Sequence, residues 1–185
     1  MKDDEYDGPI EIAITGNLGE EDDDSLDKLL DVLPGDECIL YFDSPGGAAY
    51  SAVSLLSVIV LRGIRATGIV TGECSSAALW PFAACRRRLV TAHSVLMFHP
   101  MKWQSEEHVH MSEAAERARH FSNLETDMDE LLAKHLGVAP ERLRSWTHPG
   151  RYFSGAELAN EGVVELIDLA PLDIFDTPKQ KRKRR

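Results

Sequence analysis

The sequence predicts an α/β fold, and three observations carry that expectation. Short apolar runs of strand length alternate with helical patterns along most of the chain. The run Cys38–Phe42 (CILYF) is apolar throughout, and Ala49–Leu61 is apolar on nearly all sides, as elements covered on both faces are. Glycine and proline punctuate the joins between these segments.

In chain order, residues 1–9 form a short acidic segment, after which Ile10, Ile12 and Ile14 alternate as a strand should until Gly16. The stretch EEDDDSLDKLLDVL places acids ahead of Leu26, Leu29, Leu30 and Leu33, the charge arrangement a helix N-terminus favours, and Pro34-Gly35 closes that helix. Cys38–Phe42 is the next strand, Asp43–Gly47 reads as a turn, and Ala49–Leu61 is a buried helix. Ala66–Thr71 reads as a strand, Ser76–Ala84 as a short buried helix, and Leu89-Val90 and Val95–Phe98 as strands around a His93-Ser94 turn. A long amphipathic helix over about 112–136 carries Leu124, Met128, Leu131 and Leu132 on one stripe, ends at Gly137 as C-cap, and is long enough to project. Ser154–Glu157 has capping-box spacing, and Val163–Ile167 supplies a last strand. A single domain over 10–178 is expected, followed by a basic disordered tail, 179–185.

At 185 residues and 43% hydrophobic, the chain can bury one core. Its formal charge of −11 argues against nucleic acid or an anionic membrane as partner of the folded body, although six of its 20 basic residues sit in the last seven positions. Cys38, Cys74 and Cys85 show neither paired metal spacing nor an even count, so they read as reduced, buried thiols. His108 and His110 share one face of an extended segment, but no acid or cysteine completes a ligand set around them; no metal and no cofactor are expected. No apolar run reaches membrane-span length and the N-terminus is acidic, so the expected location is the cytoplasm.

Three segments could supply acyl-transfer chemistry, which needs a nucleophile, a base and N–H donors aimed at a developing oxyanion. Ser44-Pro45-Gly46-Gly47 joins a buried strand to a helix, where glycines let backbone approach a ligand closely; taken alone it is equally a tight turn. Gly72–Ala78 sets Ser75 and Ser76 among small residues at a helix entrance, where a serine is either a nucleophile or a cap. Val95–Pro100 ends a strand in His99, a side chain suited to proton transfer near neutral pH and also common as a structural group.

Together these segments resemble the proteolytic subunit of Clp proteases, in order and in approximate spacing: an apolar strand with SPGG (Ser44–Gly47), G-x-x-x-S (Gly72–Ser76), and a strand end of the form Met97-Phe98-His99-Pro100 lying 23 positions after Ser76. The resemblance continues through LLAKHLG (Leu131–Gly137) and RYFSGAELANEGVVELID (Arg151–Asp168), covering roughly residues 10–168. It implies a ClpP/crotonase-like spiral of βα units and a serine endopeptidase acting on unfolded polypeptides or peptides. In that reading Ser76 is the nucleophile, His99 the general base, and the N–H groups of Gly47 and Ala77 the oxyanion hole. Ser76 holds the family register, and Ser75 is the alternative. The resemblance further implies stacked homo-oligomeric, heptameric rings joined through the long helix.

Two departures stand out. Gly150 occupies the position of the family's triad aspartate, and loss of that acid in other serine proteases costs roughly 10⁴ in kcat while residual catalysis survives. His148 and Thr147 are the nearby candidates to replace it. The resemblance also implies an AAA+ unfoldase as partner, but the segment before the first strand is shorter than the family's axial loop, which puts that docking in doubt. The main rival is a ClpP-like structural or regulatory subunit without activity; a crotonase-like coenzyme A enzyme and a Ser-Lys peptidase follow, the last lacking any lysine in a motif position, since Lys102 and Lys134 read as surface residues.

Overall fold

In the computed structural model of the chain, residues 8–20, 23–102 and 108–169 are described. The acidic segment before Gly8 and the basic tail lie outside them. The element order is β1 (Ile10–Leu18), α1 (Ser25–Asp31), β2 (Glu37–Gly47), α2 (Ala49–Leu61), β3 (Arg65–Ser75), a 3₁₀ turn (Ser76–Ala78) running into α3 (Leu79–Ala84), β4 (Arg87–Thr91), β5 (Val95–Phe98), α4 (Met111–Leu136), α5 (Pro140–Thr147), β6 (Arg151–Ser154), α6 (Gly155–Asn160) and β7 (Glu165–Ile167). The α/β class expected from alternating patterns is the class observed.

Five strands run parallel in the order β1-β2-β3-β4-β7. The strand β3 changes partner along its length. Thr67–Val70 pair with β4, whereas Glu73–Ser75 pair in parallel with β5, which in turn pairs antiparallel with β6. The sheet therefore splays at the C-terminal end of β3, and Ser76 lies at that end.

Helices cover the sheet, but α2 is not covered on all sides as its apolar run suggested: it buries the stripe Ala52, Leu55, Leu56 and Ile59 against the sheet and leaves Tyr50, Val60 and Leu61 exposed. Ile12, Ile14, Leu40, Phe42 and Val70 from the strands are buried with Leu55 and Ile59 of α2 and Phe82 of α3. A second aromatic knot, Phe98, Trp146 and Phe153, packs edge to face at centroid separations of 5.2–5.6 Å and fastens α5 and β6 to the end of β5. The C-terminal half of α4 buries Met128, Leu132, Ala133 and Leu136, while its N-terminal half buries none of its described residues. Gly137 ends the helix in the left-handed region (φ +73°), as expected of the C-cap.

Four elements differ from the sequence reading. Asp43–Gly47 is the end of a strand, not a turn: Ser44 pairs with Cys74, and Gly46 and Gly47 pair with Asn17 and Leu18 across a register shift. Neighbouring strands on both sides supply hydrogen-bond partners, which outweigh the local turn chemistry of Pro45-Gly46-Gly47. The strand β3 likewise continues past Thr71 to Ser75, because β5 offers it a second partner. Helix α5 and strand β6 were not foreseen; α5 begins at Pro140, a favoured first helical position.

Candidate active site

Each candidate residue sits at the end of an element whose own chemistry puts it there. Ser44 is fully buried; its Oγ donates to the Gly16 carbonyl at 2.6 Å and accepts from Gly46 N–H at 3.2 Å, which locks the Ser-Pro-Gly-Gly segment. Beyond it Gly46 (φ +104°) and Gly47 (φ +138°) adopt backbone that side chains rarely tolerate. The approach is tight. A Cβ on Gly46 would lie 2.6 Å from Ser76 Cβ and 2.9 Å from Ala77 N, and one on Gly47 would lie 2.5 Å from the Leu18 carbonyl oxygen. Glycine at 46 is therefore the condition for β2 to lie against the serine.

Ser76 follows the last residue of β3 and has φ +54°, an uncommon conformation for a residue with a side chain. The sharp change from extended strand to 3₁₀ turn brings Ser76 to a cavity of about 480 Å³, which Gly47, Ala77 and His99 also line. Ser75 faces elsewhere: it is 3% exposed, and its Oγ is buried without a hydrogen-bond partner. The three thiols are poor rivals, because burial pushes Cys38 up to about 11 and raises Cys74 and Cys85 well above the ordinary thiol value.

His99 immediately follows β5. Its Nδ1 lies 2.6 Å from the Pro100 carbonyl oxygen. A carbonyl can only accept, so this contact places a proton on Nδ1 and leaves Nε2 with the lone pair a base needs. No hydrogen bond joins Ser76 to His99 in the described structure. The two share the cavity without being in contact through a proton, a common state of catalytic pairs in the absence of substrate.

Gly150 is beside the histidine, as the sequence comparison implied: a Cβ there would lie 3.4 Å from His99 Cβ. Its φ is +126°. Neither of the two replacements considered for the missing acid reaches His99. Thr147, 2% exposed, has its Oγ1 2.9 Å from His148 Nδ1 and donates a long 3.4 Å bond to Asp129 Oδ2. Thr147 and His148 are engaged with each other and with α4 instead.

Sequence reasoning missed two carboxylates, Glu125 and Asp129. Both line the same cavity, one helical turn apart on α4, together with Phe121 and Leu132. Glu125 Oε1 accepts the Met101 N–H at 2.7 Å. Burial, and after it the Glu125 charge, raises the Asp129 carboxyl above its ordinary value. The spacing Phe121-Glu125-Asp129-Leu132 marks these acids as lying on the packed side of the helix, which was the available signal. His108 and His110 flank the start of α4, and among the described residues no group of three or more His, Cys, Asp or Glu could hold a metal.

Comparison with known proteins adds three findings. Residues 11–168 match the sequence profile of a family described as Clp protease. The ATP-dependent Clp protease proteolytic subunit 4 of Rhodococcus jostii (strain RHA1) is 30% identical over 131 residues, which is 69% of this chain and 66% of that protein, just under two thirds of its length. A ClpP1 mutant from Listeria monocytogenes superimposes with a TM-score of 0.74 over 85% of this chain and 91% of that one, at 20% identity, and establishes the likeness of fold.

Proposed function

This chain belongs to the Clp protease family, and from that premise we propose that it is a serine endopeptidase whose nucleophile is Ser76 and whose base is His99. The family is one of serine proteases. The observation that carries the reading for this member is the conformation of Ser76. A non-glycine residue held at φ +54°, packed against Gly46, costs on the order of 1–3 kcal/mol, and such strain is retained chiefly where geometry serves a task.

The chemistry follows from the arrangement. His99 Nε2, with Nδ1 engaged on the Pro100 carbonyl, takes the Ser76 proton as Oγ attacks the substrate carbonyl carbon. The N–H groups of Gly47 and Ala77 receive the oxyanion, and the proton on Nε2 then passes to the departing amine as the C–N bond breaks. Water, deprotonated by the same nitrogen, hydrolyses the acyl-serine. Unfolded polypeptides and peptides are the substrates. The exposed N-terminal half of α4, with Met111 86% exposed, supports burial against further copies in a stacked homo-oligomer, and the compartment is the cytoplasm. No helix among the described residues is long and apolar enough to cross a membrane.

A fluorophosphonate probe tests the assignment. An adduct mapped by mass spectrometry to Ser76, lost in Ser76→Ala, is expected. Labelling nowhere, or at Ser75, overturns it. Gly150 favours a second reading, an inactive ClpP-like structural subunit, and absence of labelling in assembled protein is its expected result.

A further inference from the structure

We propose, resting on the assignment of Ser76 as nucleophile, that the cavity beside it selects a basic side chain, arginine or lysine, on the acyl side of the bond cut, through the carboxylates of Glu125 and Asp129. Leu79, Trp80, Phe98, Phe121 and Leu132 give the cavity apolar walls, and its volume of about 480 Å³ accommodates a long side chain. Such walls suit the methylene stem of lysine or arginine, and the two carboxylates offer its charged head an end point.

The two acids are compensated only in part: Glu125 accepts the Met101 N–H, Asp129 accepts from Thr147, and Arg144 and His148 line a neighbouring pocket with both acids. Elsewhere on α4, Glu113 pairs with Arg117 and Glu116 with Arg119, while Asp127 and Glu130, like Glu125 and Asp129, form no ion pair among the described residues. Glu125 and Asp129 are half-buried, and among the described residues neither forms an ion pair with a lysine, arginine or histidine. His148 and Arg144 act on Asp129 only at longer range, and their pull is outweighed by burial and by the repulsion from Glu125. Lys102 also lines the cavity, but its side chain is exposed and bridges to neither acid. Two like charges partly removed from water favour a cation that can pair with both. A guanidinium, planar and with several donors, is the better fit of the two heads.

Two measurements on the full chain decide the proposal. The first compares kcat/KM for fluorogenic peptides differing only in arginine, leucine or glutamate before the reporter. Arginine is expected to exceed leucine by about tenfold or more, and Asp129→Asn with Glu125→Gln to bring that ratio to about one or below. The second needs no turnover: calorimetric titration of Ser76→Ala with tetrapeptides ending in arginine or in leucine, where arginine is expected to bind about tenfold tighter. Leucine bound as tightly as arginine, or binding of neither, overturns the proposal. An arginine preference in binding without probe labelling at Ser76 would instead overturn the nucleophile assignment and leave the pocket standing.

Discussion

Substituting Gly150→Asp places a carboxylate next to His99, the base under the proposed function, and its two consequences fall in separate observables. The added Cβ lies 3.4 Å from His99 Cβ, close enough for a carboxylate oxygen to compete with the Pro100 carbonyl for Nδ1–H. The cost is conformational: at φ +126° an aspartate is strained by roughly 1–3 kcal/mol, equivalent to a fall of about 2–10 °C in Tm for a domain of this size. The gain is smaller than the 10⁴ lost when other triads lose their acid, because much of that loss comes from the wrong imidazole tautomer. Here the carbonyl already holds the tautomer, so the carboxylate adds only the difference between a neutral and a charge-assisted hydrogen bond as the imidazolium forms. That difference is about 1–2 kcal/mol, or about tenfold in kcat. Turnover of a short fluorogenic peptide by wild type, Gly150→Asp and Gly150→Asp with Ser76→Ala measures it, with assembly checked by light scattering. An unchanged or lower rate in an assembled single mutant refutes the reasoning, as does a rise that survives loss of Ser76.

Two further predictions test the surroundings of the site. Gly46→Ala places a methyl 2.6 Å from Ser76 Cβ and 2.9 Å from Ala77 N at φ +104°, so it is expected to abolish probe labelling of Ser76 and to lower Tm; Gly150→Ala, equally strained in φ but with contacts no closer than 3.4 Å, should keep labelling. Asp129→Asn is expected to raise Tm at neutral pH. The Asp129 carboxyl is raised in the folded state, so the native protein binds its proton more tightly than the unfolded chain, and stability is lost as pH rises from the ordinary value of 3.8 through the raised one. The gain in the asparagine variant should therefore vanish below about pH 4, and a gain of equal size at acid pH would contradict the assignment of that shift.

How far the fold was legible depended on whether local and long-range preferences agreed. The run Cys38–Phe42 and the helix Ala49–Leu61 were readable as elements from their apolar content, but not their burial: the strand alternates buried with half-buried residues, and the helix buries only the stripe Ala52, Leu55, Leu56 and Ile59. Asp43–Gly47 was misread as a turn because Pro45, Gly46 and Gly47 have turn propensity, whereas their strand conformation is imposed by Leu18 and Cys74, residues remote in sequence. The site followed the same division. Ser76, His99, Gly47 and Ala77 stand at element ends marked by short motifs, and they line one cavity. Asp129 escaped notice because a charged residue on a charged helix looks like a solvated one until the cavity it lines is known. Gly150 was read as the position of the family's acid and lies beside His99, but the Pro100 carbonyl on His99 Nδ1 was not legible, since a backbone group carries no mark in a sequence.

That carbonyl bears on the choice between an active peptidase and an inactive subunit. A triad acid performs two tasks, fixing the tautomer and stabilising the cation formed during attack, and a neutral acceptor at 2.6 Å can perform the first without the second. A chain kept only as a scaffold has no physical need for either, nor for the strain of Ser76 at φ +54° against Gly46. Relaxing that strain should then stabilise the protein at no functional cost. In a working enzyme the same strain is what carries the hydroxyl to the cavity, so Ser76→Gly, which accepts positive φ freely, should gain stability while losing the nucleophile. Stability and activity moving in opposite directions at one residue is the signature expected of a site shaped for chemistry, and a Ser76→Gly variant no more stable than wild type would remove the strain argument.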